Sequence, residues 1–383
     1  MSKYQRLGVD VKKSGIEQFK EYVENLYPNA FCVVQRDPEN PAIGLIMHTD
    51  SAGSKPIQAY IQYKETDDVD WFRGLPQDAL AMNLNDILCV GAEPVTFVDY
   101  VAFNTLDIER VNLLRALSEG FGECIDTMKA ENVPMMFAGG ETADLPDLIR
   151  TLDVSVTIFG RSPLADLITG DQIADGDAII GLGSAGRVRY EQGINSGIMS
   201  NGHTLARTCL MSPEYLTKYP EISHSSRGRY IGHYRFDDYI DDLEMTVGEA
   251  LLSPTRLYAP VVKSILDKHR ADVHGMVHNT GGGQTKCLRL GEGIKYIKDQ
   301  LPPTEPIFNL IQREGSVDWK EMYQDFNMGI GYELIIAPSA EEDVISIADQ
   351  YGLLVAKIGY CKKNKKGNEL EIISPHGRFL YTN

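Results

Sequence analysis

Two rhythms of apolar and polar positions alternate along the chain. Short continuous apolar runs predict buried strands, and stretches with an apolar residue every third or fourth position predict helices. Ile16, Phe19, Val23 and Leu26, following Ser14, predict a short amphipathic helix. Residues 42–48 predict a strand and the small, polar run 49–56 a loop. Pro76 suits the first turn of a helix whose buried face is Leu80, Leu84, Ile87 and Leu88, with Gly91 just beyond its end. A strand over 94–103 follows, then a helix over 108–130 carried by Ile108, Val111, Leu114, Leu117, Phe121, Ile125 and Met128. Residues 133–137 and 153–161 predict two further strands.

The pattern turns polar over 162–175, which divides the chain into a domain of residues 1–165 and another of 175–383. The second half restarts with a strand at 177–182. Ser200 or Asn201 is a candidate cap for a helix, and Ser253-Pro254-Thr255-Arg256 a candidate start for another. Strands over 273–278 and 332–337, a helix over 340–351 and a strand over 353–360 lead to a final hairpin. The basic run Lys362-Lys363-Asn364-Lys365-Lys366-Gly367 reads as its solvated tip. Both halves follow strand, glycine-rich loop, helix, so the expected class is mixed α/β (α+β) in two domains.

With 383 residues, the chain is long enough for two cores, and 43% apolar with 24% charged residues is ordinary for a globular protein. No apolar run approaches the ~20 residues that span a bilayer, and no signal peptide is visible behind Met1-Ser2-Lys3-Tyr4-Gln5-Arg6. A cytoplasmic protein without a membrane partner is expected, its scattered cysteines (32, 89, 124, 209, 287, 361) being free thiols. The net charge of −17 argues against a nucleic-acid partner. A small phosphorylated substrate stays open, because lysine, Mg²⁺ and backbone N–H groups act locally.

Candidate chemistry gathers at element ends. In Ala138-Gly139-Gly140-Glu141-Thr142-Ala143-Asp144, paired glycines open backbone N–H groups and an acid follows, as a phosphate with Mg²⁺ requires. Taken alone, an ordinary turn explains the segment better. Asp50-Ser51-Ala52-Gly53-Ser54-Lys55 carries an acid and a base at the two ends of a small-residue loop, and reads equally as a polar turn. Asp86 beside Asn85 sits in the last turns of a helix, where a carboxylate opposes the dipole unless a cation or solvent meets it. Gly181-Leu182-Gly183-Ser184-Ala185-Gly186 spells the dinucleotide fingerprint, yet neither an apolar helix nor the acid about 20 residues on follows. Ser200-Asn201-Gly202, near Arg187 and Arg189, and Thr280-Gly281-Gly282-Gly283 after His278 are candidate anion loops. No Ser–His–Asp or Cys–His arrangement is evident.

These loops, in this order, resemble the aminoimidazole ribonucleotide synthetase (phosphoribosylformylglycinamidine cyclo-ligase) family. Tyr4-Gln5-Arg6-Leu7-Gly8-Val9-Asp10, residues 82–94, Gly139-Gly140-Glu141-Thr142-Ala143, Ser253-Pro254-Thr255-Arg256, Thr280-Gly281-Gly282-Gly283 and Phe326-Asn327-Met328-Gly329-Ile330-Gly331 carry the likeness. The resemblance implies a homodimer whose N-terminal sheets pair into a barrel, with ATP bound near that interface. It implies ATP- and Mg²⁺-dependent cyclisation of formylglycinamidine ribonucleotide, by phosphorylation of the amide oxygen and ring closure with loss of phosphate. Carried over, Asp50, Asp86 and Glu141 are the metal acids. Asp50, Gly53, Ser54, Lys55, Asn85, Asp86, Gly139, Gly140, Glu141 and Thr142 are the ATP residues, with Lys55 on the transferring phosphoryl group. Ser200, Asn201, Gly202, Thr280, Gly281, Gly282 and Gly283 hold the substrate, and His278 is a candidate proton carrier beside Lys55 and Asp50.

Three departures stand out. Ser51 and Ala52 replace the family's first Gly-Val in the Asp50–Lys55 loop, Met199 stands where a histidine precedes Ser-Asn-Gly, and segments 185–199 and 210–246 are longer than usual. They leave a nucleotide-binding regulatory paralogue, or a superfamily relative such as thiamine-phosphate kinase, as alternatives.

Overall fold

A computed structural model of the chain describes residues 2–9, 15–224 and 229–382, without the side chains of Ile16, Glu17 and Lys20. Asp10 and Ser14 therefore lie outside the described residues. A four-residue helix, α1 (Lys3–Arg6), is closed by a capping box between Ser2 and Gln5. It docks on the C-terminal half: Tyr4 N–H donates to Glu321 at 2.9 Å and Lys3 Nζ to the Ser316 carbonyl at 2.6 Å. The segment predicted as an amphipathic helix is instead a 3-10 helix, Ile16–Tyr22, which leaves Phe19 and Tyr22 exposed.

The strands β1 (Gln35–Arg36), β2 (Ile43–Ser51), β3 (Glu93–Phe103), β4 (Met136–Asp144) and β5 (Leu152–Pro163) form one sheet in the order β1-β2-β5-β3-β4. Only β3 and β4 pair in parallel, and α4 (Arg110–Ala130) supplies the crossover that such a pair needs. With α2 (Lys55–Thr66) and α3 (Leu75–Leu88) it makes a helical layer over one face. Ile46, Val154, Val156 and Ile158 are fully buried beneath that layer, whereas Met47, Val98 and Tyr100 are exposed on the other face. The sheet is thus packed on one side only.

Two predictions change here. β2 runs to Ser51 and α2 starts at Lys55, so the predicted loop 49–56 shrinks to residues 52–54. The pattern does not announce α2, because its buried positions include Lys55, Gln58 and Gln62 and blur the apolar stripe. The paired glycines, predicted in a turn, lie inside the edge strand β4. Gly140 pairs with Asp99, and a Cβ there would lie 1.8 Å from Asp99 Oδ1, so glycine lets β4 approach β3 at that rung.

The second sheet uses β6 (Ala178–Gly183), then, after two small hairpins, β7 (Ala185–Gly186) with β8 (Asn195–Ser196) and β9 (Tyr239–Ile240) with β10 (Met245–Thr246), the strands β11 (Val273–His278), β12 (Ile294–Lys298), β13 (Ile330–Ile336), β14 (Val355–Lys363), β15 (Glu369–Ser374) and β16 (Gly377–Thr382). Its order is β11-β13-β6-β14-β12-β15-β16. Helices α5 (His203–Leu210), α6 (Glu214–Lys218), α7 (Val247–Leu252), α8 (Ala259–His269), α9 (Pro306–Gly315), α10 (Trp319–Asp325) and α11 (Glu341–Asp349) surround it. The two large sheets share no strand, and the polar stretch lies between them. Residues 253–258 are irregular, with the helix beginning only at Ala259. The basic run is not a hairpin tip: β14 and β15 flank β12, one antiparallel and one parallel, and the run crosses between them.

Candidate active site

Helix α3 is buried along nearly its whole length, and Asp78, Asn83, Asn85 and Asp86 are among its buried positions. A polar residue held away from water needs partners; Asn83 finds them within the N-terminal half, and Asp78, Asn85 and Asp86 reach into the C-terminal half. Asp78 Oδ1 accepts from Lys55 Nζ at 2.6 Å, Ser200 Oγ at 2.9 Å, and the N–H and hydroxyl of Thr255 at 2.7 Å each. Lys55 Nζ also donates to the Ser253 carbonyl at 2.7 Å, and neither charged side chain meets solvent. Burial draws the Lys55 ammonium below its usual range, against the pull of Asp78. Lys55 and Ser200 are therefore committed to a hub that fastens the Ser253–Thr255 segment to the N-terminal half. Asp78 itself was readable: it repeats at core spacing between Leu75 and Met82, where an unpaired acid has no place.

A second hub lies further along α3. Asp86 Oδ1 is 2.7 Å from His278 Nδ1, and Oδ2 is 3.4 Å from His48 Nε2. Burial pushes this carboxyl up, but Lys286, the His278 hydrogen bond and His48 outweigh it and hold Asp86 at about 2. His278 is fully buried, and burial lowers its imidazole despite Asp86. Its Nε2 stands 3.2 Å from Asn85 Nδ2, so a neutral ring protonated on Nδ1 satisfies both contacts. Asn85 also donates to the Arg256 carbonyl at 2.8 Å and accepts from Tyr258 N–H at 2.9 Å. Both nitrogens of His278 and the amide of Asn85 are thus engaged within the protein.

Above these hubs lies a cavity of about 210 Å³ where three predicted segments meet: Asp50 to Gly53, Ser200-Asn201-Gly202, and Thr280-Gly281-Gly282. Tyr4, Val9, Met82, Lys286 and Asp325 complete its walls. A more open cleft of about 900 Å³ shares Ser51 and Gly53 with it and reaches Arg150, Asp153 and Glu221. Two helix N-termini converge there. Ser54 and Gly202, the caps of α2 and α5, make no side-chain capping bond. The Ser54 hydroxyl instead meets Thr204 Oγ1 at 2.9 Å and ties the two ends together. Neither Ser200 nor Asn201 caps α5; Gly202 does, at φ +72°, because the Phe326 ring leaves no room for a Cβ, the nearest carbon lying 2.1 Å from one. The uncapped start of α5 presents N–H groups and a positive dipole end, which suit an anion, whereas at the start of α2 Pro56 has no N–H and those of Lys55 and Ile57 donate to the Ala52 and Ser54 carbonyls. Asn201 adds a buried Nδ2 that has no partner among the described residues. Lys286, which the sequence pattern does not single out, donates to Thr280 Oγ1 at 2.7 Å and brings a cation to the triple-glycine loop.

The remaining predicted residues stand apart. Gly139, Gly140, Glu141 and Thr142 lie on the edge strand and do not line this cavity, although Gly283 lies just behind it against Phe326. Register gives the separation: Ser51 pairs with Ser155, Ser155 with Tyr100, and Tyr100 with Glu141. Three strand spacings put Glu141 roughly 14 Å from Ser51. Among the described residues no group of three or more His, Cys, Asp or Glu side chains is placed to hold a metal ion. Asp50, Asp86 and Glu141 are therefore not assembled within one chain, since sheet register separates one and the histidines occupy another.

Comparison with known proteins places this geometry. The profile of the AIR synthase related protein N-terminal domain matches residues 30–162, and that of its C-terminal domain matches residues 174–370. The phosphoribosylformylglycinamidine cyclo-ligase of Methanococcus vannielii is 35% identical over 321 residues, 84% of this chain and 78% of that one. Its counterpart in Methanocaldococcus jannaschii is 35% identical over 331 residues, 86% and 81% of the two chains. Among solved structures, AaThiL complexed with AMPPCP and TMP superposes with a TM-score of 0.56 at 15% identity, covering 96% of this chain and 95% of that one, which shows a shared fold. Among the described residues no helix is long and apolar enough to cross a membrane, and all six cysteines are buried free thiols.

Proposed function

This chain belongs to the AIR synthase related family, and we propose that it is a phosphoribosylformylglycinamidine cyclo-ligase, coupling ATP cleavage to closure of the imidazole ring of formylglycinamidine ribonucleotide. The amide oxygen of the formyl group attacks the γ-phosphorus of ATP, forming one P–O bond as the bond to ADP breaks. The ribose-bearing amidine nitrogen then bonds to the formyl carbon, phosphate leaves with the former amide oxygen, and the nitrogen gives up its proton. Such chemistry needs positioning and charge neutralisation rather than a covalent protein nucleophile.

The observation that carries this reading is the meeting of the Asp50–Gly53 turn, the uncapped start of α5 and the Thr280–Gly282 loop around one cavity. Gly53, Ser54, Gly202 and Lys286 bind and neutralise phosphate oxygens, and Asp50 orients donors of the ligand. Lys55, Asn85, Asp86 and His278 act from below as positioning residues, holding α3 and the loops in register. Magnesium bound with ATP would draw charge from the phosphates; Asp50 is the acid of the predicted three that lines the cavity, and no step is assigned to the metal.

The open face of the N-terminal sheet, with Met47, Val98 and Tyr100 exposed, supports a second copy of the chain packed against it. Glu141 and Thr142 on the edge strand would then stand at the seam between copies, within reach of a nucleotide bound there. Purified protein supplied with ATP and formylglycinamidine ribonucleotide tests the reading. Equal yields of ADP and aminoimidazole ribonucleotide are expected. ATP binding without turnover of that substrate would transfer the chain to the regulatory alternative.

A further inference from the structure

Asp325 ends α10 and is followed directly by Phe326, whose ring lies against Gly202 and whose backbone lies against Gly283. The carboxyl therefore stands between the two glycine loops, and it lines the cavity that they enclose. It is 2% exposed, and among the described residues its Oδ2 has no hydrogen-bond partner. The other side chains around it leave it that way. Glu321, one turn earlier on α10, accepts from Tyr4 N–H, and Tyr381 of β16 donates to the Lys320 carbonyl at 2.9 Å. Arg207 of α5 is held by the Ser54 carbonyl and the Tyr230 hydroxyl, and Lys286 by Thr280. Tyr4 is its aromatic neighbour, and Asp50 is the other acid of the cavity.

A buried, unpartnered carboxyl in a site built for anions makes sense in one protonation state. Ionised, it would repel the phosphate that the surrounding N–H groups attract; neutral, it offers an O–H. We infer that Asp325 is a specificity-determining residue of the anion site: held as the neutral acid, it donates a hydrogen bond to a phosphate oxygen of the ligand. This rests on the cyclo-ligase reading only for the identity of the phosphate bearer. Burial, and secondarily Glu321, push this carboxyl up to about 8, so it keeps its proton at neutral pH. Burial and then Asp325 likewise push the Tyr4 phenol to about 12, so Tyr4 stays neutral across the same range.

The test is sulfate binding by calorimetry from pH 6.5 to 9.5, a range over which sulfate does not change charge. If only the protonated form of a group titrating at about 8 binds, wild-type affinity falls about 30-fold between those limits. Asp325→Asn, the same shape with a permanent N–H donor, should change less than about threefold over the range. The KM for formylglycinamidine ribonucleotide should rise above pH 8 in the wild type and stay level in the variant. A flat wild-type sulfate profile overturns the inference without any variant, as does an equal fall in Asp325→Asn. Absence of turnover with intact, pH-dependent sulfate binding would instead sink the cyclo-ligase reading and leave Asp325 in its role.

Discussion

Asp78→Ala is the substitution that separates an architectural Lys55 from one that works on substrate. In the folded chain the Lys55 ammonium is wholly buried, with Asp78 at 2.6 Å and the Ser253 carbonyl at 2.7 Å as its acceptors. Removing Asp78 strands that charge and also leaves Ser200 and Thr255 without their shared acceptor. Breaking a buried pair in this way costs about 3–5 kcal/mol, a fifth or more of a typical folding free energy of roughly 5–15 kcal/mol. Lys55→Met should cost less, because Asp78 keeps the Ser200 hydroxyl and both Thr255 donors. The double change Lys55→Met with Asp78→Leu should recover part of the loss, since no lone charge remains. Urea unfolding followed by circular dichroism reads all three. An Asp78→Ala variant within about 1 kcal/mol of wild type would refute the reasoning. So would a Lys55→Met variant of undiminished stability that has lost turnover, which would put Lys55 on the transferring phosphoryl group.

Asp86 gives a pH signature. Its carboxyl drops from 3.8 to about 2 on folding, so the fold gains about 2 kcal/mol that is present above pH 4 and lost as pH falls from 4 towards 2. Asp86→Asn should lower stability at pH 7 by about that amount and flatten the acid limb of the stability curve; an unchanged acid limb would contradict the pairing with His278 and His48. Gly202→Ala places a Cβ into the Phe326 ring at a φ of +72°, and sulfate affinity should fall at least tenfold by calorimetry while the fold survives. Gly140→Ala forces β4 off Asp99 and should loosen the edge strand, read as faster amide exchange over β4 with little change in the second sheet.

Much of the fold is legible in the pattern because most elements carry a single rhythm. Pro76 and the spacing of Leu80, Leu84 and Ile87 place the start of α3 to within a residue, and continuous apolar runs mark β6 and β13. Helix α2 escapes because its buried side holds Lys55, whose partners lie on other elements, and Gln58 and Gln62, which bond each other. The glycines of β4 mislead for a related reason: conformational freedom suggests a turn, whereas Gly140 serves close approach to Asp99. The same limit governs the site. Glycine loops announce themselves locally, and the cavity gathers Asp50, Gly202 and Thr280 as their order suggests. Lys286 and Asp325 become visible only through contacts with residues distant in sequence, as does the commitment of Asn85 and His278 to bonds within the protein.

The fate of one oxygen atom tests the proposed reaction most directly. Formylglycinamidine ribonucleotide carrying oxygen-18 in its formyl amide, turned over once with ATP, should yield inorganic phosphate containing the label, one atom for each ring closed. Unlabelled phosphate alongside aminoimidazole ribonucleotide would contradict phosphorylation of the amide oxygen.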